Sequence, residues 1–194
     1  VAWDPGVTAR RLVSWLAQSP LILDGADRAF YRRFLRSIGR QTVWLARALR
    51  TLPPSETRLW VAIALAYAAV CTAASAAQIR RVQRSLSDEL DRQILRDGGH
   101  IGRNPLTLVD LLTDLLPLRQ AFVSQGHEPP RSLVGAIDRM MPALRLFRHG
   151  DGSLALFNGM SVTPPDRLAT LLAYTDARAQ PIENAPYSGY QRLA

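Results

Sequence analysis

The segment that organises this 194-residue chain reads Asp97-Gly98-Gly99-His100-Ile101-Gly102-Arg103-Asn104-Pro105. An apolar-periodic run ends at Leu95, and the consecutive glycines that follow allow the left-handed backbone conformations that stop a helix. Asn104 and Pro105 are typical of a helix start, the first as the cap and the second in the first turn. We therefore predict a tight corner between two helices, with polar side chains gathered in a few residues.

Helical periodicity extends on both sides of this corner. Apolar residues recur at three- and four-residue spacing over residues 7–18, 24–50, 78–95, 105–124, 131–147 and 165–177. A second glycine-rich stretch, residues 150–159, predicts a small hairpin or an extended loop. About seven helices in antiparallel pairs predict an all-α fold that forms part of an (α/α) solenoid or toroid.

One predicted helix is unusually apolar. Residues 59–79 contain no charged side chain, which raises the question of a membrane span. The stretch is rich in alanine and only moderately hydrophobic, and residues 72–77 predict a corner that divides it. We interpret it as an inner helix that its neighbours surround, and we predict no membrane span.

The charge of the chain indicates a polyanionic partner. All 24 basic residues are arginine, against 16 acidic residues, which gives a net charge of +8. Acidic polysaccharide and nucleic acid both satisfy this charge, but no nucleic-acid-binding motif accompanies the arginines. Cys71 is the single cysteine, so an internal disulfide is excluded. His100, His149 and Asp151 lack the spacing of helical ligand pairs, and we predict neither a metal nor a cofactor.

Several segments of the sequence resemble bacterial heparinase II/III family proteins. They are residues 97–100 with 104–105, 137–140 (IDRM), 147–152 (FRHGDG), 157–159 (FNG) and 187–193 (YSGYQRL). The resemblance implies that residues 1–180 are the second half of a helical toroid. Residues 181–194 are then a linker and the first strand of a β-sandwich domain that lies outside this chain and packs against the toroid as a partner.

Characterised members of this family are polysaccharide lyases, which cut uronic-acid-containing chains by β-elimination. The resemblance implies the same reaction on an acidic polysaccharide, and an enzymatic parent protein of which this piece alone is inactive. His100 and His149 would be the catalytic residues, with His100 as base or carboxylate donor. The substrate would be bound by Arg103, Asn104, Arg148 and Asn158. The parent would be a bacterial protein of the periplasm or the cytoplasm.

The sequence departs from the lyases at two catalytic pairs. Glu56-Thr57 stands where they have Asn-His, and Thr107-Leu108 stands where they have Tyr-His. Three alternatives therefore stay open: a glycan-binding protein without chemistry, a basic helical domain that binds nucleic acid, and a purely structural role for the polar clusters. In the structural alternative the histidines cap helix ends, Asp151 closes a turn and Asn158 holds a positive φ.

Overall fold

The computed structural model describes residues 2–72, 74–174 and 182–193. Over these residues the chain is mostly helical, as the sequence predicts, and it divides into two compact units: Val1–Glu89 with Gln120–Glu128, and Leu90–Arg119 with Pro129–Ala194. We call them unit 1 and unit 2. The described elements are α1 (Pro5–Ala17), α2 (Ser19–Ile22), α3 (Arg28–Ala48), α4 (Glu56–Cys71), α5 (Ala76–Gln93), α6 (Pro105–Ser124), α7 (Arg131–Leu146), α8 (Pro165–Ala173), β1 (Asn184–Ala185) and β2 (Tyr190–Gln191).

The core of unit 1 is built around α4, which packs against α1 and α3. Every residue from 59 to 70 is buried, so the prediction of an inner helix is confirmed. Ser55 caps this helix by accepting a hydrogen bond from the N–H of Arg58. Among the described residues, no helix combines the length and apolar character needed to cross a membrane.

The C-terminal end of α3 is held by a charged side chain from α4. Arg58 donates hydrogen bonds to the carbonyls of Leu49 at 2.7 Å and Leu52 at 2.6 Å, and to the carboxylate of Glu89 at 2.7 Å. Glu89 is buried, and this ion pair compensates the burial of its charge. A cation at the carbonyl end of a helix is favourable, so Arg58 stabilises α3 from its end.

In unit 2, the leucine-rich face of α6 and one face of α7 are buried. Large buried residues line both helices: Leu108, Leu111, Leu112 and Leu115 on the first, and Leu133, Ile137, Met140 and Leu144 on the second. Pro117 and Pro142 lie inside these helices without ending them. Met140 and Met141 of α7 are buried and fill the core of the unit.

The start of α3 differs from the prediction. The sequence favours Asp24 as the cap, but α3 begins at Arg28, and Asp27 accepts the N–H of Phe30 at 2.6 Å. Gly25 has a φ of 65°, which keeps the chain out of the helical conformation at this point. A short helix, α2, also occupies part of the stretch predicted as a connection.

The C-terminal segment has the strand character that the sequence predicts. β1 and β2 form a two-stranded antiparallel pair in which Asn184 faces Gln191 and Ala185 faces Tyr190. The end of the last predicted helix, beyond residue 174, lies outside the described residues. The toroid, the domain boundary at residue 180 and the β-sandwich stay predictions.

Candidate functional site

The glycine-rich corner of unit 2, residues 94–104, is held together by the carboxylate of Asp97. Its Oδ1 accepts the N–H of Gly99 at 3.0 Å, and its Oδ2 accepts the N–H and the hydroxyl of Ser188 at 2.7 and 3.0 Å. Ser188 is buried and lies in the turn between β1 and β2. Asp97 therefore connects the corner to a segment about 90 residues away in the sequence.

The two glycines of the corner allow this close packing. Gly98 has a φ of 84°, and a Cβ atom at this position would overlap the backbone carbonyl of Arg139 on α7. At Gly99 a Cβ atom would lie 2.6 Å from the Cβ of Ser188. Both positions therefore require glycine because a second segment of backbone or side chain passes directly over them.

His100 is buried in the corner, and both of its ring nitrogens have partners. Nδ1 accepts the N–H of Gly102 at 3.0 Å, and Nε2 lies 3.2 Å from Oε1 of Gln93. Because Nδ1 is an acceptor, the ring proton is on Nε2, which donates to the Gln93 oxygen. A general base needs a nitrogen directed at its substrate. The imidazole of His100 instead stabilises the turn.

Arg103 and Asn158 lie together, although 55 residues separate them. Nδ2 of Asn158 donates to the carbonyl of Arg103 at 2.5 Å and to the hydroxyl of Tyr190 at 2.8 Å. That hydroxyl donates in turn to the same carbonyl at 2.8 Å. Arg103 and Asn158 both have a positive φ, of 53° and 52°, so the expectation of a positive φ at Asn158 is confirmed.

The guanidinium of Arg103 is also engaged within unit 2. It lies over the ring of Tyr190, 5.0 Å from its centroid, and donates to the carbonyl of Gly189 at 3.4 Å. Asn104 caps α6, as predicted, because its Oδ1 accepts the N–H of Leu106 at 2.9 Å. Arg103 and Asn104, which were both predicted to bind the substrate, thus have structural partners.

The second predicted cluster forms the small hairpin that the sequence indicates. Arg148 pairs with Leu154, and the N–H of His149 donates to the carbonyl of Ser153. Asp151 closes the turn by accepting the hydroxyl and the N–H of Ser153 at 2.7 and 2.9 Å. These two bonds hold the pKa of Asp151 below its ordinary value, and His149 adds a smaller effect in the same direction. Arg148 and His149 are exposed.

Sequence reasoning missed Ser188 and Tyr190 as members of this network. The ring of Tyr190 contacts two phenylalanines, 4.9 Å from the centroid of Phe147 and 5.3 Å from that of Phe157. The structure therefore joins Asp97, His100, Arg103, Asn104 and Asn158 into one internal framework. Over the described residues, no group of three or more His, Cys, Asp or Glu side chains could hold a metal ion.

Unit 1 presents a different kind of surface on α1 and α3, which we call the arginine face. These two helices contain eight arginines and no aspartate or glutamate: Arg10, Arg11, Arg28, Arg32, Arg33, Arg36, Arg40 and Arg47. Asp4 and Asp27, which precede the two helices, cap them. The face is therefore strongly positive.

Two adjacent grooves run along the arginine face. The first has a volume of about 990 Å³ and is lined by Trp15, Ile22, Phe30, Arg33, Phe34, Arg36, Ser37 and Arg40. The second, of about 640 Å³, is lined by Trp3, Arg36, Gly39, Arg40, Val43, Trp44 and Arg47. Arg36 and Arg40 border both grooves, so the two lie side by side along α3, and we refer to them together as the depression.

Some arginines of this face have partners and others have none. Arg11 donates to Gln41 at 2.8 Å, and Arg10 lies over the ring of Trp60. Within residues 2–72, 74–174 and 182–193, the side chains of Arg33, Arg40 and Arg47 form neither a hydrogen bond nor an ion pair. The chain leaves these guanidinium groups available to a ligand.

Comparison with known proteins identifies a relative that extends over nearly the whole chain. FtsZ-localized protein C of Caulobacter vibrioides is 33% identical over 192 residues, which cover 99% of this chain. The chain spans about one third of the length of that relative. No protein-family model matches the sequence, and no solved structure matches it.

This similarity corrects the functional predictions made from the sequence. The relative is an FtsZ-localized protein, so the prediction of a polysaccharide lyase is wrong, and the comparison supports neither the glycan-binding nor the nucleic-acid-binding alternative. Acidic polysaccharide is likewise not supported as the partner. A physical reason accompanies the correction: His100, Arg103, Asn104 and Asn158 form hydrogen bonds within unit 2.

Proposed function

We propose that this chain is a protein-binding module of a bacterial cell-division protein that associates with FtsZ. The observation that carries this proposal is the 33% identity to FtsZ-localized protein C, which extends over 99% of the chain. Because the chain spans one third of that relative, we propose that it supplies only part of the contact with FtsZ. That contact is made by a surface of unit 1 or of unit 2.

The distribution of polar groups supports a binding role. In unit 2, the imidazole, amide and carboxylate groups of the corner hold the backbone in place. In unit 1, several guanidinium groups border an open apolar depression and have no partner in the described chain. Exposed apolar and cationic groups side by side are typical of protein interfaces.

We also propose that the helices form part of an (α/α) toroid followed by the beginning of a β-sandwich. The resemblance to the heparinase II/III family and the short β1–β2 pair support this architecture, here as a scaffold for association. An experimental structure of the whole parent protein tests it. Helix pairs that curve around a common axis are expected, whereas a straight bundle would contradict the proposal.

Sedimentation with FtsZ polymers tests the proposed function. We expect the purified chain to pellet with FtsZ filaments assembled with GTP and to stay in the supernatant when GDP replaces GTP. In cells, the full-length parent carrying a fluorescent tag should lie at the FtsZ ring and disperse when FtsZ is depleted. A chain that stays in the supernatant, with a parent protein that ignores FtsZ depletion, would contradict the proposal.

A further inference from the structure

We infer that the arginine face of unit 1 is a docking surface for an acidic polypeptide segment that carries a large apolar side chain. This inference goes beyond the proposed function because it rests on the charge and shape of the face. It does not depend on which protein contains the acidic segment.

The charge of the face specifies an acidic occupant. Its helices contain eight arginines and no carboxylate residue, and Arg33, Arg40 and Arg47 have no partner in the described chain. Guanidinium groups bind carboxylates through paired, charge-assisted hydrogen bonds. A segment with several aspartate or glutamate residues would neutralise this excess of positive charge.

The spacing of the arginines fits a linear occupant. Arg33, Arg36 and Arg40 follow one another at three and four residues, so they lie on one side of α3 in successive turns. Arg47 extends the same depression toward the end of the helix. A helix of 21 residues is about 30 Å long. A segment lying along α3 can therefore meet several guanidinium groups at once.

The first groove specifies the apolar part of the occupant. Its floor is formed by Trp15 and Phe34, whose rings stack with centroids 6.0 Å apart. Phe30 stands at its edge and is 39% exposed. Burying one aromatic or leucine side chain in such a groove is favourable because it removes apolar surface from water. The groove is thus suited to an anchor residue between the acidic positions.

The shape of the face favours a polypeptide over other polyanions. A nucleic acid is held mainly through its phosphates, and these would leave the aromatic floor at Trp15 and Phe34 uncovered. A lipid bilayer would be met by the exposed apolar side chains of this surface, whereas the buried ring of Phe34 in the first groove can be reached by a single inserted side chain. Acidic side chains that flank an apolar anchor match both features.

Fluorescence anisotropy with defined peptides tests the inference. The probe is a fluorescein-labelled 16-residue peptide. It has a glutamate at every third or fourth position, and one phenylalanine and one leucine at its centre serve as apolar anchors. Its matched control replaces each glutamate by glutamine. We expect the full chain to bind the acidic peptide at least about tenfold more tightly than the glutamine peptide, and its affinity to fall with added salt.

Variants of the chain locate the binding surface. The double variant Arg36→Glu/Arg40→Glu should weaken binding of the acidic peptide by about tenfold or more, and Phe30→Ala should weaken it by a smaller factor. Arg80→Glu/Arg84→Glu on α5 changes the net charge equally at exposed positions outside the grooves, so it is the matched control and should bind almost as well as the wild type.

The outcomes of these experiments distinguish an acidic peptide from nucleic acid and anionic lipid as the occupant of the arginine face. Circular dichroism melting curves equal to that of the wild type establish that each variant is folded. Equal weakening by the α5 control, or equal binding of the glutamine peptide, would overturn the inference. It would also be overturned if duplex DNA or phosphatidylglycerol vesicles displaced the peptide at lower concentration than the unlabelled peptide does. FtsZ sedimentation is a separate readout, so either proposal can fail alone.

Discussion

The corner of unit 2 and the arginine face of unit 1 differ in whether their polar side chains are available to a ligand, and in each region the structure is the opposite of what the residue types suggest. The corner gathers a histidine, an asparagine and an aspartate within a few residues, a composition typical of an active site, yet each of these side chains bonds to nearby backbone. The arginine face repeats one charged residue type on ordinary amphipathic helices, yet it leaves cationic groups available. Whether a side chain already has a partner within the chain therefore distinguishes the two regions better than its residue type does.

Backbone hydrogen bonding explains the difference. A helix corner exposes N–H and carbonyl groups that have lost their helical partners, and buried groups of this kind must find others. The side chains of Asp97, His100 and Asn104 supply those partners. In the middle of α3 the backbone is satisfied by the helix itself, so its arginines are not needed for this purpose.

The largest effect is expected at Gly98. Gly98→Ala should lower the free energy of unfolding by about 3 kcal/mol or more, because Gly98 has a positive φ and its Cβ would overlap the backbone of Arg139. Thermal and urea denaturation measure the loss. Gly150→Ala is the matched control, since nothing lies within 4 Å of a Cβ there, and it should have little effect. Equal stability of the two variants would show that close packing at Gly98 does not hold the corner in place.

A smaller loss is expected when the carboxylate of the corner is removed. Asp97→Ala should cost about 2 kcal/mol of unfolding free energy, because Gly99 and Ser188 lose their charged acceptor. Ser188→Ala removes only one of these bonds and should cost less. In a double-mutant cycle the two losses should add up to more than the loss in the double variant. Fully additive losses would contradict the coupling of the two segments.

Arginines of the open face should matter little for stability. Arg40→Gln is expected to change the free energy of unfolding by no more than about 0.5 kcal/mol, since this side chain has no partner in the described chain. At low salt a slight gain is expected, because repulsion among the arginines decreases. A large loss would show that Arg40 has a structural role and would remove the contrast between the two regions.

The smallest effect concerns the titration of Asp151. Hydrogen bonds from Ser153 lower the pKa of this carboxyl group, so the turn favours the carboxylate. The resulting contribution to stability is fully present above the pKa that Asp151 has in the unfolded chain. It is lost as the pH falls through the lower pKa that Asp151 has in the folded chain. Carboxyl chemical shifts in NMR should give a midpoint below the ordinary aspartate value, and Ser153→Ala should raise it. An unchanged midpoint in the variant would rule out Ser153 as the cause.

Local features of the fold could be predicted from the sequence. The cap at Asn104, the buried α4, the turn at Asp151 and the positive φ at Asn158 each follow from short-range rules. The contacts of Ser188 and Tyr190 with the corner cross about 90 residues. Nothing in the local sequence of those two residues indicates their partners, so the framework could not be assembled from pattern alone.

The mistaken prediction of a polysaccharide lyase also came from local sequence patterns. The motifs that carry the family resemblance consist largely of corner and hairpin residues, such as 97–105 and 147–152. In this chain several of those residues determine where the backbone turns. Similarity at such positions therefore indicates how a chain is built and is weak evidence for its chemistry.

The arginine face is composed without a single lysine, because the sequence contains none. Guanidinium groups stay protonated throughout the physiological range, and acetyltransferases that silence lysine amines have no target here. The positive field of the face is therefore a fixed property of the chain. Regulation of the proposed docking can come from ionic strength or from the acidic partner, for example through phosphorylation that adds negative charge to it.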